Sequence, residues 1–175
     1  SFLVRYLDLN ESPAVRLSLA RALLTQKSLT EAERHLRALL TGSPTHAEGL
    51  LLRGVLCMQR EQYREAEASF SLAIQHGADR KKCLMGMGMA SLGRAYAQGA
   101  WEQFLLVLAD HPDDAEAVHW LLRAGTAQNR WAELSGHLRQ YVSRNPGDLA
   151  VRFALAGTLV RAERIDEARR EHDAL

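Results

Sequence analysis

The sequence predicts an all-α fold, a right-handed superhelical solenoid of antiparallel helix pairs. Three observations carry that expectation: a gapless period of 34 residues, small side chains at two fixed places in the period, and a proline that closes three of the units. A period of about 20 to 50 residues marks stacked repeats, in which one unit cannot bury its apolar face alone and its neighbours supply the rest of the core.

Counting from Pro13, repeat units run over 13–46, 47–80, 81–114 and 115–148, and 149–175 forms a fifth, unfinished unit. Projected backwards, 1–12 reads as the tail of the second helix of a preceding repeat, and the whole reads as one continuous domain. Position 8 of the unit holds Ala20, Gly54, Gly88 and Ala156, and position 20 holds Ala32, Ala66, Ala100 and Ala168, so two helices can approach closely at both places. The fourth unit departs twice, with Leu122 and Leu134, which either compensate for each other or shift that helix pair. Position 24 (Leu36, Phe70, Phe104, Leu138, His172) and position 27 (Leu39, Ala73, Val107, Tyr141, Leu175) form the apolar stripe of a second helix. Pro44, Pro112 and Pro146 stand at position 32, where proline cannot continue a helix. Short polar turns such as Gln26-Lys27-Ser28-Leu29 separate the two helices of a unit.

A small residue at position 8, alanine at 20, leucine or an aromatic at 24 and proline at 32, on a 34-residue step, resemble the tetratricopeptide repeat, over about nine-tenths of the chain. The register, opening and closing inside a unit, reads as a fragment of a longer array. The resemblance implies a concave face lined by the first helix of each unit, mainly positions 2, 5, 9, 12 and 13, that takes an extended peptide or a helix of another protein. Carried over, the candidate partner-binding residues are Leu17, Arg21, Leu51, Val55, Met58, Lys82, Met85, Met89, His119, Arg123 and Phe153. The middle of this face is apolar and rich in methionine, which adapts to varied partners. The competing reading is that some of these side chains pack between adjacent first helices. A carboxylate clamp of the chaperone-binding kind would fall on Leu17, Arg21, Leu52, Lys82 and Gly86, where only Lys82 is of the right type and Arg21 is a substitute. Arg21, Lys82 and Arg123 then serve as rim charges that set encounter and register.

The function implied is a protein–protein interaction scaffold. Two further readings are an accessory or regulatory region of a larger enzyme or secretion machine, such as a glycosyltransferase or an exopolysaccharide export protein, and self-assembly through the open ends of the solenoid. No catalytic residue, cofactor site or metal site is assigned, and the chain reads as no enzyme. Twenty-two Lys and Arg balance 21 Asp and Glu without a block of like charge, so nothing calls for nucleic acid. The longest apolar stretches fall short of the roughly 20 residues that span a bilayer, so no membrane insertion is expected, and cytoplasm and periplasm stay open.

Gly86-Met87-Gly88 lacks the strand and third glycine of a dinucleotide fingerprint. Gly88 has the packing role of position 8, whereas Gly86 and Gly93 have none and leave backbone open to a ligand. Seven histidines show no metal-ligand spacing, and His119 draws interest only for its place on the concave face near Arg123. Cys57 and Cys83 read as inert thiols, and Trp101, Trp120 and Trp131 as core, Trp131 packing within its own unit.

Overall fold

First helices begin where a side chain can replace a missing backbone partner. The computed structural model describes residues 12–173, and Ser12, His46, Asp79, Asp114 and Asp148 each accept a backbone N–H three residues ahead, at 2.8–3.3 Å. Contacts divide the chain into two units, Ser1–Gly93 and Arg94–Leu175. The first holds α1 (Pro13–Thr25), α2 (Leu29–Gly42), α3 (Ala47–Gln59), α4 (Tyr63–Gln75) and α5 (Arg80–Gly93). The second holds α6 (Ala97–Asp110), α7 (Ala115–Ala127), α8 (Trp131–Arg144), α9 (Leu149–Arg161) and α10 (Ile165–Asp173). The described residues contain no strand, and the all-α helix-pair repeat fold expected from the sequence is the one observed. The expected helix tail over 1–12 lies, but for Ser12, outside the described residues.

One backbone device recurs at position 15 and was not read from the sequence. Lys27, Glu61, Ala95, Asn129 and Glu163 all stand in the left-handed region, with φ between 55° and 60°. After four of them the next amide reaches back to a carbonyl five residues earlier, as in Gln62 N to Cys57 O at 2.9 Å, which closes the first helix and turns the chain. A side chain in this region costs about 1–2 kcal/mol. Ala95→Gly, which removes only the Cβ, is therefore expected to stabilise by about 1 kcal/mol and raise Tm by roughly 2–4 °C. An unchanged or lower Tm in calorimetry would contradict this.

In the first unit the small positions do what the period requires: Ala20, Ala32 and Ala66 have no exposed surface and Gly54 is buried. Phe70, 2 % exposed, lies between two glycines, because a Cβ added at Gly54 or at Gly86 would fall 2.5 Å from its ring. A Cβ at Gly93 would meet the Tyr63 ring at 2.5 Å. This corrects the expectation for Gly86 and Gly93. Both have a packing role, each facing an aromatic of the preceding repeat, and the buried Gly86 has its backbone covered instead of open to a ligand, whereas Gly93 is exposed.

In the second unit the position-24 residues Phe104 and Leu138 are fully buried, and Phe104 stacks on Trp120 with ring centres 6.2 Å apart. Trp101 is 2 % exposed and occupies the space that a Cβ at Gly125 would need, 2.6 Å from its ring. Leu134 is fully buried and Leu122 half-buried, and α7 and α8 are less closely packed than α1/α2, α3/α4 or α9/α10. This more loosely packed pair is the one that carries leucines at both small-residue positions. Trp120 and Trp131 are half-buried, not core, and Trp131 supports Arg161 of the following repeat, with the guanidinium 5.0 Å from the ring centre.

Candidate functional site

The first-helix face of the first unit is built from α1, α3 and α5. Arg21 of α1 pairs with Glu48 of α3 at 2.5 Å, and Gln59 of α3 donates to the Leu24 carbonyl at 3.3 Å, so the C-terminal half of α1 is tied to both ends of α3. An ion pair this exposed adds at most about 1 kcal/mol and serves chiefly to orient its partners. Lys82 is exposed and sits 3.5 Å from Asp79, whose carboxyl is held below its usual range chiefly by the backbone N–H of Lys82.

The apolar strip predicted across this face is only partly present. Leu51 and Met85 are 6 % and 5 % exposed and belong to the interior, whereas Leu17, Val55, Met58 and Met89 are half-buried. The reason is geometric. α3 packs against both α1 and α5, so position 5 turns into the seam between first helices, and Leu51 joins the core against which Leu17, Val55 and Met58 rest. Leu52 and Gly86, two of the clamp positions, are also buried.

In the second unit the same register is open. His119, Arg123 and Phe153 are exposed, and on α9 Phe153 (68 %), Val160 (52 %) and Leu149 (52 %) present a stripe interrupted by the bare backbone of Gly157. Arg123 lies over the Trp120 ring at 4.8 Å while His119 meets that ring edge-on at 6.0 Å. The cation is thereby placed at the border of the face and the indole is covered.

Two clefts lie off these faces and were missed, because repeat positions predict helix seams and not the gaps between them. One, about 360 Å³, lies between α2 and the α3–α4 hairpin, with Leu36, Leu40 and Leu56 as its floor and Glu33, Arg37, Arg53 and Arg60 around it. Glu33 accepts from Arg37 at 2.7 Å and from Arg60 at 2.8 Å, and the Arg60 bond is the main cause holding its carboxyl below the usual range. Arg53 is fixed by its Nε–H to Ser69 Oγ at 2.9 Å. Cys57 also lines this cleft, and burial pushes its thiol up, against the pull of Arg53. The fully buried Cys83 thiol is pushed up to about 11, so neither cysteine is primed as a nucleophile.

The second cleft, about 260 Å³, is lined by Leu105, Leu108, Pro112, Val118, His137 and Tyr141 among others. His137 meets Trp101 edge-on at 5.6 Å, and burial lowers its pKa below the ordinary imidazole value although Glu133 opposes the shift. Tyr141 donates to Asp148 at 3.0 Å, and burial is the main cause that raises its phenol. Among the described residues no cluster of three or more potential metal ligands occurs, and no helix is long and apolar enough to cross a membrane.

Comparison with known proteins fits this geometry. A tetratricopeptide repeat family model matches residues 3–47 and 17–81. No curated protein matches the sequence significantly. Among solved structures, YrrB, described as a tetratricopeptide protein with an unusual peptide-binding site, is similar at a TM-score of 0.76 and 16 % identity, over 98 % of this chain and 89 % of that one. MamA from Desulfovibrio magneticus is similar at 0.74 and 18 % identity, over 92 % and 91 %. A tetratricopeptide repeat protein from Parabacteroides merdae is similar at 0.67 and 15 % identity, over 91 % and 62 %. These likenesses establish the tetratricopeptide-type repeat fold, and the matched family model identifies tetratricopeptide repeats over residues 3–81.

Proposed function

We propose that the chain is a protein-interaction scaffold that holds a peptide or helix of a partner protein against the first-helix faces of its repeats. The observation that carries this reading is the partly open apolar patch of Val55, Met58 and Met89, which stays accessible although first helices flank α3 on both sides. Phe153, 68 % exposed between two half-exposed aliphatic side chains, continues the same register on α9, the last first helix among the described residues, beside which no further first helix packs. An apolar stripe of that kind on a soluble surface marks a contact site. Val55, Met58 and Met89 have Arg21 and Lys82 as rim charges in the first unit, and in the second unit Arg123 takes that part beside His119. Only YrrB among the cited relatives is described by a peptide-binding site, and that description supports the same use here without assigning a ligand.

The test is partner capture by the full-length protein in its native host, with Phe153→Asp and Met58→Glu introduced separately. A central aromatic anchor contributes about 2 kcal/mol or more, so Phe153→Asp should weaken capture about thirty-fold while helicity by circular dichroism stays unchanged. Met85 is unsuited to this experiment, since a charge at a 5 % exposed site would damage the core. Capture that survives both changes would count against the reading. If sedimentation shows a dimer that Phe153→Asp dissolves, the face joins copies of the chain instead.

A further inference from the structure

We propose that the cleft between α2 and the α3–α4 hairpin is a second docking site, and that it takes an acidic segment of a protein partner carrying an apolar side chain beside its carboxylates. The cleft lies off the first-helix face. Its volume of about 360 Å³ falls in the range of ligand sites, which starts near 300 Å³, and is enough to admit side chains of a peptide.

Two properties of the lining select the occupant. Its floor of Leu36, Leu40 and Leu56 is aliphatic and rewards an apolar side chain. Its wall carries three guanidinium groups, Arg37, Arg53 and Arg60, against the single carboxylate of Glu33. Glu33 is already shared between Arg37 and Arg60, so the lining keeps an excess of positive charge. Arg53 is held in place by Ser69, whose hydroxyl in turn donates to the Glu65 carbonyl at 2.7 Å. A planar cation fixed in this way binds a carboxylate at less entropic cost than a free side chain does. The Arg37 side chain is 75 % exposed and stands at the mouth, where an incoming carboxylate can meet it without displacing Glu33.

The experiment is fluorescence anisotropy on the intact chain with a labelled peptide of alternating glutamate and leucine. Matched peptides replace glutamate by lysine or leucine by serine. The glutamate–leucine peptide is expected to bind, with affinity falling as salt rises, and each matched peptide to bind at least ten-fold more weakly. Arg37→Glu, at an exposed site, should weaken binding at least ten-fold. Thr41→Glu, which adds a carboxylate at the rim without touching the Glu33 pairs, should act in the same direction should Arg37→Glu disturb folding. Phe153→Asp should leave this binding unchanged, which separates the cleft from the first-helix faces. Binding that persists in both cleft variants, that is lost in Phe153→Asp, or that is displaced by a short single-stranded oligonucleotide would overturn the proposal.

Discussion

Phe70→Ala is expected to destabilise the first unit by about 3–5 kcal/mol, the range for emptying a buried aromatic site. The ring is 2 % exposed and reaches from its own repeat into the next, filling the places where Gly54 of α3 and Gly86 of α5 have no side chain. Removing it leaves a cavity with glycine backbone on both sides, and backbone cannot collapse into the space as side chains do. The converse change follows from the same geometry. Gly86→Ala puts a Cβ 2.5 Å from the ring, and the ring cannot retreat because Gly54 lies equally close on its other flank, so overpacking should cost about 1–3 kcal/mol. Phe70→Leu combined with Gly86→Ala should then cost less than the sum of the single changes, a coupling that a double-mutant cycle measures. Hydrogen exchange places the effect: amides of α3, α4 and α5 should lose protection first. Additive losses, or a Phe70→Ala penalty under about 1 kcal/mol, would show that the ring is not wedged.

That interlock marks the limit of what the sequence made legible. Small residues at positions 8 and 20 and large ones at 24 were visible as a period, and Gly54 beside Phe70 follows from it. Gly86 was not, since position 6 carries Ser18, Leu52, Gly86, Trp120 and Ala154 and has no type of its own. Its residue is chosen by the ring opposite. Where position 24 of the previous repeat is Phe70, position 6 is glycine, and where it is Phe104, position 6 is Trp120, which stacks on it. The left-handed residues at position 15 were hidden for a similar reason: Lys27, Glu61, Ala95, Asn129 and Glu163 include no glycine, although the backbone there favours one.

The candidate face was legible in register but not in exposure. Position 5 is an apolar lining residue by family pattern, and it is buried at Leu51, where first helices flank α3 on both sides, yet open at Phe153 on α9, the last first helix among the described residues, because neighbouring first helices decide it. Periodicity fixes which residues share a helix face and leaves the distance to the next helix undetermined. The departures at Leu122 and Leu134 did announce a local change, and the looser α7/α8 pair is its structural form.

Trp101→Ala should be the corresponding lesion in the second unit, also about 3–5 kcal/mol, with α6, α7 and α8 losing hydrogen-exchange protection first. The indole fills the gap at Gly125, carries the Arg130 guanidinium 4.6 Å above its ring and covers His137 edge-on, so one substitution removes a core filler, a cation support and a shield together. The shield supplies a readout that a simple loss of volume would not. Burial lowers the folded-state pKa of His137 below the unfolded value of about 6.5, so the folded unit favours the neutral ring. Its contribution is complete above about pH 6.5 and is lost as pH falls through that value toward the folded pKa, because the unfolded chain takes up the proton first. In Trp101→Ala water reaches the imidazole, its pKa moves back toward the ordinary value, and the acid-dependent loss shrinks. Denaturation followed at about pH 7.5 and 5.5, on either side of the ordinary imidazole value, measures the difference. The variant should be less stable at both and less sensitive to the change, whereas an undiminished pH dependence would mean that the His137 shift arises elsewhere than beneath Trp101.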